Sequence, residues 1–310
     1  MEKCFYDRAK ELADNCNSVK NNNVYETLSE EYGITKRTAG DRFRSYFGKC
    51  VSEYISEAHT PTKEEVRNAL IVCESTDEVM KMLNTNSYWF KGLYDKYFNV
   101  STFIKAKAKI LNEKDEVAYN PTIEDNLSLF LSQKLGDGSF ETYNNRRCLK
   151  IEHGSKQLDY LKFKISLFCK AFPQLEGFGK IRKRVSTDNY ISYSWRTNNM
   201  NSKAMIQAIE TSKVDAVHKL TPLGWLLWFL DDGTLYQDEN SHCIIISMSD
   251  EKLKDEAIKE LETYGMNFKK SKNGIIVSDY INIVKFLNCF IKPFNHIIPE
   301  CMKYKCVIKI

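Results

Sequence analysis

The chain has 310 residues, 43% hydrophobic and 28% charged, with 45 Lys and Arg against 41 Asp and Glu. Those proportions suit a globular protein of about two domains and exclude collagen-like, fibrous and disordered classes. A net charge of +4 permits nucleic-acid binding without arguing for it, so any nucleic-acid face must come from local placement.

Apolar runs such as Trp225–Leu230 stop well short of the roughly 18 residues of a membrane span. The opening Met1–Lys10 has no apolar core or small-residue cleavage site, so no secretory signal is expected. The ten cysteines lie scattered, with no CxxC pair and no histidine at zinc-finger spacing. They read as thiols in a reducing compartment.

In chain order, short helices are expected up to about residue 118. Leu28–Phe43 fits a helix-turn-helix: Leu28 and Tyr32 lie one helical turn apart, and Ser29 is small enough for close approach. Gly33 suits the left-handed end of the first helix, Ile34 plugs the gap, and Thr35 or Thr38 caps the second. That second helix carries Lys36, Arg37, Arg42 and Arg44, suited to phosphates or base edges. A plain helical hairpin with solvated charges fits the same pattern. Thr76–Leu93 is a weaker copy with Asn84 in the turn, and Leu111–Pro121 is a polar linker ending in Asn-Pro.

The rest of the chain contains a repeat. An apolar helix from about Ile123 ends in Leu135-Gly-Asp-Gly138, and another from about Pro222 ends in Leu230-Asp-Asp-Gly233. Asp137 and Asp232 stand 95 residues apart, and Leu158 and Leu253 each follow by 21. Matched landmarks argue for two copies of one supersecondary unit.

Each copy reads helix, two strands, helix, two strands, helix. In the first, strands over Ser139–Tyr143 and Arg147–His153 flank an Asn-Asn turn. Ser155 is then expected to cap a helix with apolar Leu158, Leu161, Ile165, Phe168 and Phe172. Strands over Lys180–Val185 and Tyr190–Thr197 follow, then a helix near Asn201–Ile209. The second copy gives strands Thr234–Asp238 and His242–Met248, helix Asp250–Tyr264, strands Phe268–Lys272 and Gly274–Asp279, and helix Tyr280–Ile291.

A carboxylate at the partly negative carbonyl end of a helix is electrostatically disfavoured. Having one in both copies suggests a compensating cation. If the two apolar helices pack side by side, Asp137 and Asp232 meet at one end. With Gly136 and Asp231 beside them, backbone carbonyls and water would complete a hard oxygen site suited to Mg²⁺. A helix-terminating Asp-Gly turn without metal is the plainer reading of either copy alone.

FLSQKLGDG (Phe130–Gly138) and WLLWFLDDG (Trp225–Gly233) resemble the two motifs of a LAGLIDADG homing endonuclease, closest to the single-chain subgroup whose second motif reads like LAYWFMDDG. Lys150–Tyr160, Leu220–Gly224, Ile291–Phe294 and Ile298–Lys305 extend the resemblance, which covers roughly Pro121–Lys305. Gln133 and Lys134 depart from it, standing where apolar residues are common.

The helical N-terminal region before the repeats, read from the residues themselves, divides into a helix-turn-helix-like DNA-binding unit over 1–60 and a second helical unit over 61–118. The resemblance implies an α+β fold: a pseudo-twofold duplicated αββαββα core with antiparallel saddle-shaped sheets, its repeats over 119–215 and 216–310. It implies site-specific cleavage of both DNA strands by a monomer, with Asp137 and Asp232 holding two or three Mg²⁺ ions, for which Mn²⁺ substitutes. A basic residue late in each repeat maps onto Lys305 and, by spacing, Lys213, with Lys203 as the alternative. The expected compartment is a bacterial or phage-infected cytoplasm or an organelle matrix.

DNA recognition would come from the sheets, since a two-stranded ribbon fits the major groove. Lys180, Arg182 and Arg184 alternate along one expected strand and so share a face. Arg196, Arg146 and Arg147, and in the second copy Lys269, Lys270 and Lys272, are further candidates. Two other functions use the same fold class: a maturase binding intron RNA, and a non-catalytic transcription regulator.

Overall fold

The structure, a computed structural model, describes residues 2–16, 23–58, 60–83, 85, 87–113, 119, 122–143, 146–176, 179–197, 200–238 and 241–308. The chain falls into two compact units, Met1–Phe90 and Lys91–Ile310.

The first unit holds α1 (Glu2–Asp14), α2 (Val24–Tyr32), α3 (Lys36–Phe47), α4 (Val51–Ala58), α5 (Lys63–Val72) and α6 (Thr76–Met82); α7 (Ser87–Phe98) runs from it into the second. Phe5, Leu28, Ala39, Phe43, Val51 and Ile55 form a core shared by α1–α4. Gly33 ends α2 in the left-handed conformation (φ 62°), where a Cβ would be strained. The Thr35 side chain caps α3 by accepting from the Thr38 N–H. Asn84, Asn120, Pro121, Asn144 and Asn145, expected at turns or boundaries, lie outside the described residues.

The second unit continues with α8 (Phe103–Asn112) and then the first repeat: α9 (Asp125–Leu135), β1 (Gly138–Tyr143), β2 (Arg146–Gly154), α10 (Leu158–Ala171), β3 (Arg182–Val185), β4 (Ile191–Arg196) and α11 (Lys203–Glu210). The short α12 (Lys213–Val217) leads to the second repeat: α13 (Pro222–Asp232), β5 (Gly233–Gln237), β6 (His242–Ser247), α14 (Glu251–Thr263), β7 (Lys269–Ser271), β8 (Gly274–Val277) and α15 (Tyr280–Phe290). Each repeat closes one antiparallel four-stranded sheet, ordered β1-β2-β4-β3 and β5-β6-β8-β7. The expected duplicated αββαββα order is therefore the order in the structure. α8, placed by the sequence in the helical region before the repeats, packs along α15, where the Asn288 amide donates to the Leu111 carbonyl at 2.8 Å.

Helices α9 and α13 pack together at the centre. Leu223–Leu230 are all buried, as expected of a helix that is apolar all round. Approach is tight near the helix starts, where a Cβ on Gly224 would lie 2.1 Å from Ser128 Oγ. There the Thr221 N–H donates to Ser128 Oγ at 2.9 Å. Gly224→Ala is expected to force the pair apart and cost about 1–3 kcal/mol, read as a lowered denaturation midpoint.

Ser155 does not cap α10. Ser155–Gln157 form a 3-10 turn, and the α-helix begins after Gln157 without a side-chain cap. The buried face of α10 is Tyr160, Leu161, Lys164 and Phe168, rotated from the expected apolar stripe. The matching face of α14 is Leu253, Lys254, Ala257 and Leu261, 93 residues on rather than the 95 that separates the aspartates.

Candidate functional site: two helix ends and a buried ion pair

Asp137 stands one residue beyond α9, after its C-cap Gly136, and Asp232 is the last residue of α13. The helices are tied at this end by Asp231, whose Oδ2 accepts the Asp137 N–H at 3.1 Å. Glycine at 136 makes the room: a Cβ there would lie 2.3 Å from Asp231 Oδ2. The two motifs thus differ for a steric reason, the carboxylate of one filling the space left empty by the other.

Asp231 is held from α10. Its Oδ1 lies 2.6 Å from Lys164 Nζ and accepts the Tyr160 hydroxyl at 2.7 Å, while Oδ2 lies 2.8 Å from the same ammonium. Both charged side chains are fully buried. Lys164 also donates to Gln133 Oε1 at 3.0 Å and sits 4.7 Å from the Tyr160 ring centroid. Burial and the Asp231 charge push the Tyr160 hydroxyl pKa well up. Gln133, out of character for the motif, serves this ion pair. Lys134 instead donates to the carbonyls of Ala208 and Ile209, each at 2.9 Å, at the end of α11.

Asp137 and Asp232 are less compensated. Burial, followed by the charges of Asp231 and Asp137, raises the Asp232 carboxyl to about 7. Asp137 keeps 41% of its side chain exposed, yet desolvation first and Asp231 second raise its carboxyl as well. Lys305 joins the group: its buried ammonium donates to the Leu230 carbonyl at 2.7 Å, and burial lowers its pKa against the pull of the three aspartates. Lys213 does not share this environment. It is exposed at the first turn of α12, and its charge acts on Lys134. Lys203 begins α11 and is also exposed.

His153 is a buried neighbour that sequence reasoning missed. Its Nδ1 lies 3.4 Å from Asp137 Oδ2, and its Nε2 is buried without a hydrogen-bond partner. Burial lowers the imidazole pKa to about 4, so the ring is neutral at ordinary pH. Lys164 and Tyr160 were missed as well. The available signal was a lysine and a tyrosine flanking Leu161 at core spacing.

Donor chemistry at this end fits a divalent cation. Carboxylates held in a half-buried site with raised pKa values have an unmet demand for positive charge. Asp137 and Asp232 could supply it oxygen ligands. Gly136 offers only backbone there, and both oxygens of Asp231 are already engaged.

The basic candidates fall on different faces. Registry puts Arg182 and Arg184 opposite Ser194 and Ser192, and Lys150 opposite Arg196, so these share a sheet face with Glu141, Arg146 and Glu152. The opposite face, with Leu149, Ile151 and Trp195, is buried against α10. Lys180 is exposed just before β3. Arg196 lies 2.7 Å from Glu141, and Arg184 lies 3.7 Å from Glu152. Arg147 belongs to the other face and donates to Asn201 Oδ1 at 3.1 Å.

In the second sheet Lys269 shares the open face with Thr234, Cys243, Ile245 and Ile276. Lys270 turns toward α14 and pairs with Asp255 at 2.6 Å. Lys272 is exposed in the β7–β8 turn. In the first unit Arg37 is exposed on α3, Lys36 pairs with Glu26, and the Arg42 guanidinium lies 5.6 Å from the Phe5 ring centroid.

No family model matches the chain, and no curated protein matches it. Among solved structures it is similar to the homing endonuclease I-WcaI bound to its DNA recognition sequence, at 17% identity and TM-score 0.47, covering 66% of this chain and 93% of that one. It is also similar to the N-terminal LAGLIDADG domain of DUF199/WhiA, at 13% identity and TM-score 0.36, covering 58% of this chain and 87% of that one. The homing endonuclease I-DmoI in complex with DNA and Ca is a third, at 13% identity and TM-score 0.35, covering 55% of this chain and 91% of that one.

Proposed function

We propose that the protein is a divalent-metal-dependent, site-specific endonuclease that cuts both strands of duplex DNA as a monomer. One observation carries this reading: Asp137 and Asp232, which close the two motifs, end on the same side of a packed helix pair, and burial with neighbouring aspartate charge raises both carboxyls. The motif resemblance supplies the reaction class, with Mg²⁺ as the ordinary ion and gene homing as the biological setting. A reducing cytoplasm or organelle matrix suits the cysteines.

Asp137 and Asp232 would hold the ions. A bound divalent cation supplies charge stabilisation and a more acidic water for attack on a phosphodiester. Lys305, fixed on the Leu230 carbonyl, keeps a positive charge beside the carboxylates, placed to offset charge developing on phosphate. Arg182, Arg184, Arg196, Arg146, Lys180 and Lys269 would meet the duplex from the open sheet faces. Lys36, Arg37 and Arg42 of the first unit would extend the contact. Each phosphate neutralised steepens the salt dependence of binding, by roughly 0.9 in log–log slope.

A library of plasmids incubated with the protein and Mg²⁺ tests this. Linear product that disappears in Asp137→Asn and in Asp232→Asn supports the endonuclease. One observation favours a binding-only regulator instead: the Lys164 and Lys305 ammonium groups already offset much of the charge of three aspartates. Bound but uncut DNA across all metals would establish that reading and overturn the first.

A further inference from the structure

Besides Gly136 against Asp231, the pseudo-symmetric halves of the site differ in a further donor. Ile151 and Ile246 occupy the same register position, opposite Gly138 and Gly233. Two residues on, the first repeat has His153 and the second has Met248. A thioether is a poor ligand for hard cations, whereas imidazole suits borderline ions such as Zn²⁺, Ni²⁺ and Cu²⁺.

The imidazole is positioned by packing. Its ring centroid lies 4.9 Å from that of Tyr160, and Nδ1 faces the Asp137 carboxylate within a cluster of three potential ligands, Asp137, His153 and Asp231. The 3.4 Å from Nδ1 to Asp137 Oδ2 is too long for a good hydrogen bond. It is, however, the spacing of two donor atoms that lie about 2.1 Å from one tetrahedral cation. The nearby cations Lys164 and Lys305 oppose a metal here. Asp231, within the same cluster of ligand atoms, neutralises Lys164, and Asp232 adds a further negative charge.

We infer that His153 and Asp137 form a nitrogen-and-oxygen site for a borderline divalent cation, confined to the first-repeat half. The inference rests on the proposed endonuclease reading only in taking Asp137 as a metal ligand. The two halves then differ in metal preference, with Zn²⁺ and its spectroscopic stand-in Co²⁺ favoured beside Asp137 and oxygen-loving Mg²⁺ beside Asp232.

Cobalt titration of the chelator-stripped full chain, without DNA, tests it through the visible absorption of bound Co²⁺. His153→Gln should weaken Co²⁺ binding at least about tenfold and change Mg²⁺ binding, read by competition, much less. His218→Ala, which removes an exposed imidazole held between Glu256 and Glu260, should leave the cobalt band intact. Unchanged Co²⁺ binding in His153→Gln or in Asp137→Asn overturns the site. Should His153→Gln fail to fold, cobalt-edge absorption of the His218→Ala protein decides: imidazole scattering supports the site and its absence overturns it. The endonuclease reading fails separately, if the cobalt site is present and no plasmid is cut.

Discussion

Lys164→Met is expected to destabilise the second unit by about 3–5 kcal/mol, because it leaves the buried Asp231 carboxylate without its cation. The loss is large because the ammonium meets three oxygens at once: both of Asp231 and the Gln133 amide oxygen. Tyr160 cannot replace it, since one hydroxyl donates to only one oxygen. Denaturant unfolding followed by tryptophan fluorescence reports on the right part of the chain, as Trp195, Trp225 and Trp228 are all buried in this unit. Lys164→Met combined with Asp231→Asn should recover at least half of the loss, because the double variant buries no unpaired charge. A cost below about 1 kcal/mol in the single variant would mean that water reaches Asp231, and the ion pair would then not be what ties the helix ends together.

The second repeat shows why this pair escaped sequence reading. On α14 the positions matching Tyr160 and Lys164 are Leu253 and Ala257, so the duplication that exposed the aspartates gave no sign of the ion pair. Lysine on a helix ordinarily points to solvent, and a stripe through Leu158, Leu161 and Ile165 leaves Lys164 just off the apolar face. The 3-10 turn at Ser155–Gln157 precedes α10 where a capped first turn is expected, and nothing in that tripeptide distinguishes it from the first turn of an α-helix. Strands and their order were legible because alternation and turn residues are local signals. Lys270 was not, since a strand of three residues has too little alternation to say which side faces α14. His153 falls inside an alternating strand, where a histidine reads as one more inward residue until Asp137 is brought beside it.

A carboxylate pair that serves a cation should be a liability without one, and Asp232→Asn separates these effects. The folded-state pKa of Asp232, about 7 against 3.8 for the free side chain, means that the folded protein holds this proton more tightly than the unfolded chain. The corresponding stabilisation is complete below pH 4 and is lost as pH rises through 7. The unadjusted shift would convert to roughly 4 kcal/mol at 1.36 per unit; partial solvation of the side chain brings the expected cost to about 2 kcal/mol. In chelator at pH 8, Asp232→Asn should therefore be about 2 kcal/mol more stable than the wild type, and at pH 4 the two should coincide. Saturating Mg²⁺ should narrow the gap at pH 8 by stabilising only the protein that retains the ligand. Cleavage should fall at least about a hundredfold in the same variant. Asparagine that destabilises the chelated protein at pH 8 would show Asp232 already satisfied by its neighbours, leaving no unmet charge for a metal to answer.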